Sequence, residues 1–589
     1  MANNYNLNKD EKIDTKKGLT LILRHFKPYI FTLIVIAIAL LASNLLGVVL
    51  IPKLAQKAID INIANNDING LLDTVFTALI VLLFTAITNY IRVRTTGVLS
   101  QKVLFNIRQE VFKKIQELPT QFVSDNQTGD IIQRLTGNVE GLNKFFSEGF
   151  VRVMSIFFMM STILTTMFLL NWKVALISLT FTIMALLFLS FQGRFLEKPI
   201  KESLDKEGMI SAKVQESLDG FISIQSTNQQ KNWTKQLENL TKDYYKLSKK
   251  VSAISSTADT FITMISILCV GTTLLYSLHL MSVGILTIGM VILFNAYSQQ
   301  LFHGLNKISY IWRNIKTGVA SASRLREILE LKSNIFPPDN AYSPKKIDGR
   351  IQFVDVDFGY NSTDVVLKDI NFTAYPGKTI AIVGPTGGGK TTFVNLIARL
   401  YDVKNGKILV DGTDVKEWDL DILRESIGYL IQDTFLFEDT ILNNLRYDNA
   451  KVTKQEALDM FKFLGVSSFI KSLPKGLMTK IDSDGHGISS GQRQIIALAR
   501  ILLRDPKVLI LDEATARIDT KSEKLLQTAI EKAVEGKTTF VIAHRLSTIF
   551  NSDYIILIKE NTILEQGNHE QLIEKKGFYY EMYSKFVGK

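Results

Sequence analysis

The stretch Thr379-Ile-Ala-Ile-Val-Gly-Pro-Thr-Gly-Gly-Gly-Lys-Thr-Thr392 decides the fold of the C-terminal half of this chain. Its first five residues are mostly apolar or β-branched and predict a short buried strand, and apolar residues at helical spacing follow over 392–400. Between them lies a loop made of Gly384, Pro385, Thr386, Gly387, Gly388 and Gly389, followed by Lys390, Thr391 and Thr392. Glycines let backbone amides turn inward around a phosphate, and the dipole of the following helix adds positive potential. The stretch therefore predicts a phosphate-binding loop, with Lys390 on the β- and γ-phosphates and the Thr391 hydroxyl placed for Mg²⁺.

A second apolar run, over 507–511, ends in the carboxylates Asp512 and Glu513. The run predicts another buried strand. Asp512 is placed to hold Mg²⁺ through water. Glu513 is placed to polarise an attacking water, because a general base must lie within hydrogen-bond reach of that water. Two carboxylates after a strand are often only a polar strand end, and the phosphate-binding loop upstream is what favours a hydrolytic site.

The segment Ile488-Ser-Ser-Gly-Gln-Arg-Gln494 precedes this strand and begins an apolar-periodic helix over 495–503. It resembles the signature motif LSGGQ of ABC ATPases, and other motifs of that family follow in the same order along the chain. The resemblance implies ATP as substrate and Mg²⁺ as cofactor. It also implies roles for single residues, each of which would more often be a packing or surface residue if it stood alone. These are Tyr360 stacking on adenine, Gln432 contacting Mg²⁺ and the membrane domain, Asp519 in the D-loop, His544 on the γ-phosphate, and Ser489, Ser490, Gly491 and Gln492 of the signature on nucleotide.

The N-terminal half carries six long apolar runs, over 29–51, 71–91, 151–170, 174–191, 261–278 and 283–301. A helix that crosses the hydrocarbon layer of about 30 Å needs about 20 apolar residues. Buried helices of a large soluble protein are the alternative, but six such runs in one block favour a membrane domain.

The connections between these runs indicate the orientation of the chain in the membrane. Those after the second and fourth runs, 92–150 and 192–260, are long and rich in Lys and Arg, so the positive-inside rule places them in the cytoplasm. Both termini and the ATPase half then also lie in the cytoplasm, and the chain is predicted to be a multi-pass protein of the cell membrane. The net charge of +11 is explained by these loops, so no nucleic-acid partner is expected. The polar N-terminus, 1–27, has no pattern of a cleaved signal peptide.

The two long loops have a helical pattern, so the membrane helices are expected to continue into the cytoplasm. The segment Phe122-Val-Ser-Asp-Asn-Gln-Thr-Gly-Asp130 resembles the first intracellular loop of ABC exporters, and the bundle resembles their type IV fold. Polar turns at the loop tips are predicted near 138–144 and 220–228. The resemblance implies that these tips are coupling helices that press on ATPase domains, although solvated turns would look the same.

The predicted fold class combines two parts on one chain. An all-α transmembrane domain of six helices with long cytoplasmic extensions is expected over 28–320, after a cytoplasmic segment over 1–27. A linker over 321–348 leads to an α/β P-loop ABC ATPase domain over 349–589. The single cysteine, Cys269, lies in an apolar run and the histidines show no ligand spacing, so no disulfide or Cys-based metal site is expected.

Three departures from the family pattern bear on the partner. Ser490 replaces a glycine of the signature, where backbone approaches phosphate and glycine would be permissive. The D-loop reads Ala516-Arg-Ile-Asp519, and Asp482-Ser-Asp-Gly485 stands where Gly-Glu-Arg-Gly is usual. ABC domains work as head-to-tail pairs, and some heterodimeric exporters have one degenerate site. The chain therefore resembles the glutamate-bearing half of a heterodimer, with a homodimer as the alternative.

Export is favoured because the membrane half precedes the ATPase half on one chain. The alternatives are a soluble ABC ATPase of DNA repair or translation, the ATPase of an importer, and an ATP-binding channel or regulator. An apolar bundle with Met-rich stretches such as Phe157-Phe-Met-Met160 would suit hydrophobic or amphipathic drugs or lipids, because methionine adapts to varied shapes. The same residues could equally face membrane lipid or pack helices.

Overall fold

The structure is a computed structural model that describes Tyr5, Leu7 and residues 15–305, 308–338, 340–361, 364–431, 434–447, 449–482, 488–512, 520–543 and 549–587. It divides into two compact units. The helical unit comprises Leu7–Gln116 and Gln127–Leu331, and the ATPase unit comprises Met1–Asn6, Glu117–Asn126 and Lys332–Lys589.

The helical unit consists of long helices interrupted by short distortions. Its α-helices are Thr15–Phe26, Ile30–Asn44, Ile51–Lys57, Ile68–Glu117, Thr128–Leu135, Gly137–Lys144, Val151–Leu170, Trp172–Asp219, Phe221–Ser226, Gln230–Ser282, Ile288–Leu305 and Ile308–Glu330. A 3₁₀ turn at Lys27–Tyr29 and π-helical turns at Leu45–Leu50, Ala58–Ile63 and Phe145–Phe150 join some of them into longer rods.

Five helices are long and apolar enough to cross a membrane, and each contains one of the first five predicted spans. They run over Gly18–Ile63, Ile68–Glu117, Thr128–Leu170, Trp172–Leu196 and Gln230–Ser282 within the described part of the chain. On the second of them Leu72, Phe76, Leu79 and Leu83 are each 58–65% exposed at helical spacing, as expected of a face that meets lipid or a partner.

The sixth predicted span differs from the structure. The prediction began it at residue 283, but the helix is Ile288–Leu305, because the chain turns at Gly284 with φ of +78°. This helix carries Asn295, Gln299 and Gln300, which make it less apolar than the other five. Its role as a sixth membrane span therefore stays a prediction.

The predicted tip of the first cytoplasmic loop is wrong. The long helix ends at Glu117, Pro119 starts a short helix at Thr120–Asp125, and the chain returns as a helix from Thr128. Residues 138–144, predicted as a turn, lie inside the returning helix. A Cβ on Gly141 would come within 2.3 Å of the Ser321 hydroxyl oxygen, so this glycine permits close helix packing.

The predicted tip of the second loop is confirmed. A short helix at Phe221–Ser226 joins the long helices that end at Asp219 and begin at Gln230. None of its residues is buried, and Ile222 is 83% exposed.

The described residues of the ATPase unit form ten strands in two sheets. These are β1 (Ile351–Phe358), β2 (Leu367–Ala374), β3 (Thr379–Val383), β4 (Asn405–Val410), β5 (Thr413–Asp414), β6 (Ile427–Leu430), β7 (Val508–Asp512), β8 (Thr538–Ile542), β9 (Tyr554–Lys559) and β10 (Thr562–Gly567). The first sheet has the order β2-β1-β4-β5 and is antiparallel, and the second has the order β10-β9-β3-β8-β7-β6. Within the second sheet β9, β3, β8, β7 and β6 are parallel.

Helices complete this unit and divide its interior into separate apolar cores. They are Lys390–Ile397, Leu420–Ser426, Ile441–Arg446, Lys454–Phe463, Ser467–Ser472, Ser490–Leu502, Thr520–Ala533, His569–Glu574 and Phe578–Val587. Phe353 and Phe393 stack at 4.1 Å between ring centroids in the core between the sheets. Ile495 and Leu498 belong to a second core, which is formed mainly by helices.

Three features of the structure bear on the predicted domain boundaries. Residue 320 falls inside the helix Ile308–Glu330, so the predicted linker starts as a helix rather than as a connection. The helix Thr15–Phe26 occupies part of the segment predicted as a polar N-terminus, and Glu117–Asn126 groups with the ATPase unit because its contacts are made there.

Candidate functional site

Four parallel strands of the larger sheet end at one edge of it, and in sequence they precede several of the predicted site residues. The carboxyl ends of β3, β6, β7 and β8 lie side by side, and the chain continues from them into the phosphate-binding loop, Gln432, Asp512-Glu513 and His544. A ligand in an open parallel sheet binds at this edge. Gln432, Glu513, Asp519 and His544 lie outside the described residues, so the geometry below concerns the others.

The loop between β3 and the next helix has a backbone that requires glycine. Gly384, Gly387 and Gly389 have φ of +147°, +80° and +97°. A Cβ on Gly384 would lie 2.1 Å from the carbonyl oxygen of Ile558, and one on Gly389 would lie 2.9 Å from a methyl group of Leu367. The loop is therefore held tightly against its surroundings in a conformation that only glycine adopts without strain.

Lys390, at the start of the helix Lys390–Ile397, is only 7% exposed. Its ammonium donates to the carbonyl oxygens of Gly384 and Pro385, at 2.9 and 2.8 Å, so it lies inside the loop. Burial lowers the pKa of Lys390, and the nearby Asp512 carboxylate opposes that shift. A positive charge held at a helix N-terminus beside inward amides can bind a polyphosphate.

Tyr360 forms an aromatic surface next to this loop. Its hydroxyl is 2.9 Å from the hydroxyl of the buried Thr392, and its ring meets Phe358 and Tyr401 edge to face at 5.1 Å between centroids. The side chain remains 36% exposed. Three contacts thus hold an accessible ring in place, which is an arrangement suited to stacking with a base.

Asp512 ends β7 close to groups that the sequence did not single out. The hydroxyl of Tyr429, in β6, donates to the side-chain oxygen of Asn395 at 2.8 Å. Burial, with a further contribution from Asp512, raises the pKa of Tyr429, so its hydroxyl stays a neutral donor. Tyr401 and Tyr429 were both missed, because a lone tyrosine in a sequence is more often packing than function.

The residues Thr391 and Asp512 fit a magnesium ion by their chemistry. Mg²⁺ prefers oxygen ligands, and in nucleotide sites it takes one or two from protein and the rest from phosphate and water. Thr391 is exposed at the start of the helix after the loop, and the Asp512 carboxylate is near Lys390. No group of three His, Cys, Asp or Glu with metal-binding placement occurs among the described residues.

The signature segment forms the beginning of the helix Ser490–Leu502. Ser489 caps it: its hydroxyl accepts from the amide of Gln492 at 3.3 Å, and the Gln492 side chain accepts from the Ser489 amide at 3.0 Å. The Ser489 hydroxyl also lies 3.0 Å from that of Ser522. Gly491 is buried.

Ser490 is the first residue of this helix and is not among the residues with positive φ. The backbone therefore does not require glycine here. The predicted close approach of the backbone to phosphate at Ser490 stays a prediction, and the serine side chain adds bulk and a hydroxyl at the helix N-terminus.

Family models match both halves of the chain. The model described as the ABC transporter transmembrane region matches residues 33–305, and the model described as ABC transporter matches residues 367–516. The fold is similar to that of a solved bacterial Atm1-family ABC exporter with ATP bound, with a TM-score of 0.83 over 96% of this chain and 99% of that chain, at 23% identity.

Curated relatives cover nearly the whole chain. The uncharacterized ABC transporter ATP-binding protein YfiC of Bacillus subtilis (strain 168) is 32% identical over 97% of this chain and 94% of its own length. The probable multidrug resistance ABC transporter ATP-binding/permease protein YheH of the same organism is 34% identical over 82% of this chain and 72% of its own length. The ATP-dependent lipid A-core flippase of Syntrophus aciditrophicus (strain SB) is 30% identical over 84% of this chain and 82% of its own length.

These matches agree with the structure, which has on one chain a glycine loop with a buried lysine, a capped signature helix and long apolar helices. The chain belongs to the ABC transporter family, as a multi-pass membrane half-transporter whose cytoplasmic ATPase domain couples ATP hydrolysis to export.

Proposed function

We propose that this chain exports hydrophobic or amphipathic compounds, either drugs or lipids, across the cell membrane by alternating access. The observation that carries the proposal is the presence, on one chain, of a complete phosphate-binding loop and of helices long enough to span the bilayer. The names of two relatives, one a probable multidrug resistance transporter and one a lipid A-core flippase, support this class of substrate.

ATP is proposed to bind with adenine on Tyr360 and with its phosphates in the loop 384–389. The buried ammonium of Lys390 and the helix N-terminus at Thr391 and Thr392 supply the positive potential for the phosphates. Thr391, Gln432 and Asp512 are proposed to hold Mg²⁺, which neutralises charge on the phosphates. Asp512 is supported by its place at the end of β7 beside Lys390.

Hydrolysis is proposed to depend on Glu513 as the base that orients water and on His544 at the γ-phosphate. Both follow strands of the parallel sheet directly in sequence, at the edge where the loop and Asp512 lie. Ser489, Ser490, Gly491 and Gln492 are proposed to cap the ATP held by a partner subunit. The N-terminus of a helix attracts phosphate, which suits that contact.

The partner is proposed to be a different half-transporter. This chain keeps Glu513 and His544 but has Ser490 in its signature, so its own loop would form the competent site and its signature the weaker one. A homodimer is favoured by one observation, the helical backbone of Ser490, since serine is accommodated there without strain. Purification of the chain alone distinguishes the two. A heterodimer predicts little ATPase activity without the partner, and full activity of this chain by itself would contradict it.

The function is tested with the purified transporter reconstituted into lipid vesicles. ATPase activity should rise when an amphipathic dye or lipid is added, and the same compound should accumulate on the side opposite the ATPase domain. Glu513→Gln should abolish both while ATP still binds. An ATPase activity that no membrane-soluble compound changes, with no vectorial movement, would contradict export of this substrate class.

A further inference from the structure

The short helix Thr120–Asp125, at the turn of the first cytoplasmic loop, lies in the ATPase unit next to the aromatic surface around Tyr360. The side-chain amide of Gln121 donates to the backbone carbonyl oxygen of Tyr360 at 3.2 Å. These residues are 239 positions apart in sequence, so the hydrogen bond joins the loop of the membrane half to the residue proposed to stack on adenine.

A second contact joins the same two elements. The hydroxyl of Ser124 lies close to that of Tyr401, whose ring meets Tyr360 edge to face at 5.1 Å. Ser124 donates to the backbone carbonyl oxygen of Gln121 at 3.0 Å, which orients the Ser124 hydroxyl within the short helix. Burial raises the pKa of Tyr401, so its hydroxyl remains neutral beside Ser124.

A gap lies between the short helix and the aromatic surface around Tyr360, beside the hydrogen bond from Gln121. Pro119, Gln121, Tyr360, Tyr401 and Lys404 are among the residues that line a cavity of about 460 Å³ in this unit. Few contacts join the loop carrying Tyr360 to the short helix, because the two are not packed together on all sides. The ring keeps its contacts with Thr392, Phe358 and Tyr401, so loss of the hydrogen bond from Gln121 should shift the ring rather than release it.

We propose that Gln121 is a positioning residue for Tyr360, so that the first cytoplasmic loop sets how tightly this chain holds the adenine of its nucleotide. The inference rests on the proposed stacking of adenine on Tyr360. Gln121 touches neither the nucleotide nor the phosphate-binding loop in this arrangement, and it acts through the backbone of residue 360.

The energetic effect is that of one hydrogen bond. A net contribution of the usual size corresponds to about a three- to tenfold change in a dissociation constant. The effect should be confined to ligands with a base, because the phosphates are proposed to meet the glycine loop and Lys390, which Gln121 does not contact.

The test compares two ligands on the full-length chain in detergent, AMP-PNP with Mg²⁺ and inorganic tripolyphosphate with Mg²⁺. Gln121→Ala and Gln121→Glu, which cannot donate this hydrogen bond, should weaken AMP-PNP binding about three- to tenfold and leave tripolyphosphate binding unchanged. Gln127→Ala is the matched control, because Gln127 is exposed and its side chain does not cap the following helix.

A double-variant cycle separates positioning from general structural damage. In a Tyr360→Ala background Gln121→Ala should have no further effect on AMP-PNP binding, since no ring remains to be positioned. Equal weakening of both ligands, or an undiminished effect without the Tyr360 ring, would overturn the proposal. If Tyr360→Ala itself leaves AMP-PNP binding unchanged, the proposed adenine site is wrong. If Tyr360→Ala weakens AMP-PNP binding but Gln121→Ala does not, the adenine site stands and only the positioning role of Gln121 is wrong.

Discussion

At the scale of single residues, the charge of Lys390 makes nucleotide affinity depend on pH. Burial lowers the pKa of this ammonium below that of an ordinary lysine. Only the protonated form attracts phosphate, so affinity should be full below the pKa in the folded chain and fall as pH rises through it. The affinity should begin to fall at a lower pH than it would if the lysine were exposed. The fall should be no steeper than about tenfold per pH unit.

The measurement is the dissociation constant of AMP-PNP from pH 7 to pH 9.5. Lys390→Met removes the titrating group and should weaken binding by at least about tenfold, because hydrogen bonds from a charged donor are the strong ones. Binding to this variant should then vary little with pH. The same alkaline loss of affinity in Lys390→Met would show that another group is responsible.

Gly384 permits a second prediction at this scale. Alanine at position 384 would have a strained φ, and its Cβ would lie 2.1 Å from the Ile558 carbonyl oxygen. Together these effects should lower the free energy of unfolding by about 2–5 kcal/mol. Gly412→Ala is the control, since Gly412 has φ of +86° and no atom within 4 Å of an added Cβ. It should cost only about 1–2 kcal/mol. Thermal unfolding of the two variants, with AMP-PNP binding, distinguishes them; equal losses would mean that the contact with Ile558 is unimportant.

The sequence identified those site residues whose chemistry is local. The glycines and Lys390 act through adjacent backbone, so their pattern was sufficient. Gln121 and Tyr401 could not be found in this way, because their contacts join segments far apart in the chain and a lone glutamine or tyrosine carries no local pattern.

At the scale of elements, the N-terminus of the signature helix combines two roles in one hydroxyl. Ser489 caps the helix, and it is also proposed to face a partner's γ-phosphate. Ser489→Ala should cost about 1 kcal/mol through the lost cap. Ser489→Asp should restore the cap and thermal stability, but its negative charge should repel phosphate and keep ATPase turnover low. If Ser489→Asp recovers turnover as well as stability, the hydroxyl acts only as a cap.

Element boundaries were predictable where backbone chemistry fixes them. The predicted strand 379–383 is β3 itself, because the glycine loop begins at Gly384. The helix after the loop was predicted from 392 but begins at Lys390, since Gly389 has φ of +97° and already acts as its N-cap. The predicted strand at 507–511 is shifted by one residue from β7.

The first cytoplasmic loop shows why the remaining boundaries were missed. Glycine in a sequence often indicates a turn, but it also permits close packing of helices. Gly141 lies in a helix and permits such packing. Pro119 was the better signal for the loop tip, since a proline disfavours helical backbone at the residue before it. The two uses of glycine differ only in tertiary contacts, such as that with Ser321, which no local pattern contains.

At the scale of the whole molecule, the tip of the second cytoplasmic loop exposes apolar side chains. Phe221 and Ile222 are 55% and 83% exposed, and no residue of their short helix is buried. Adjacent exposed apolar side chains on a cytoplasmic tip indicate a protein contact. We therefore expect this tip to transmit ATP-driven movement by docking on the ATPase domain of the partner subunit.

Ile222→Glu should remove that contact, because a carboxylate would have to be desolvated in an apolar interface. Substrate-stimulated ATPase activity and transport should fall at least about tenfold, while membrane insertion and AMP-PNP binding to the phosphate-binding loop stay unchanged. Met209→Glu is the matched control: Met209 is 50% exposed on the preceding long helix, about 15 Å before the end of that helix by helical rise. Equal losses in both variants would mean that charge anywhere on the extension is damaging, and an unaffected Ile222→Glu transporter would show that movement reaches the membrane helices by the first loop alone.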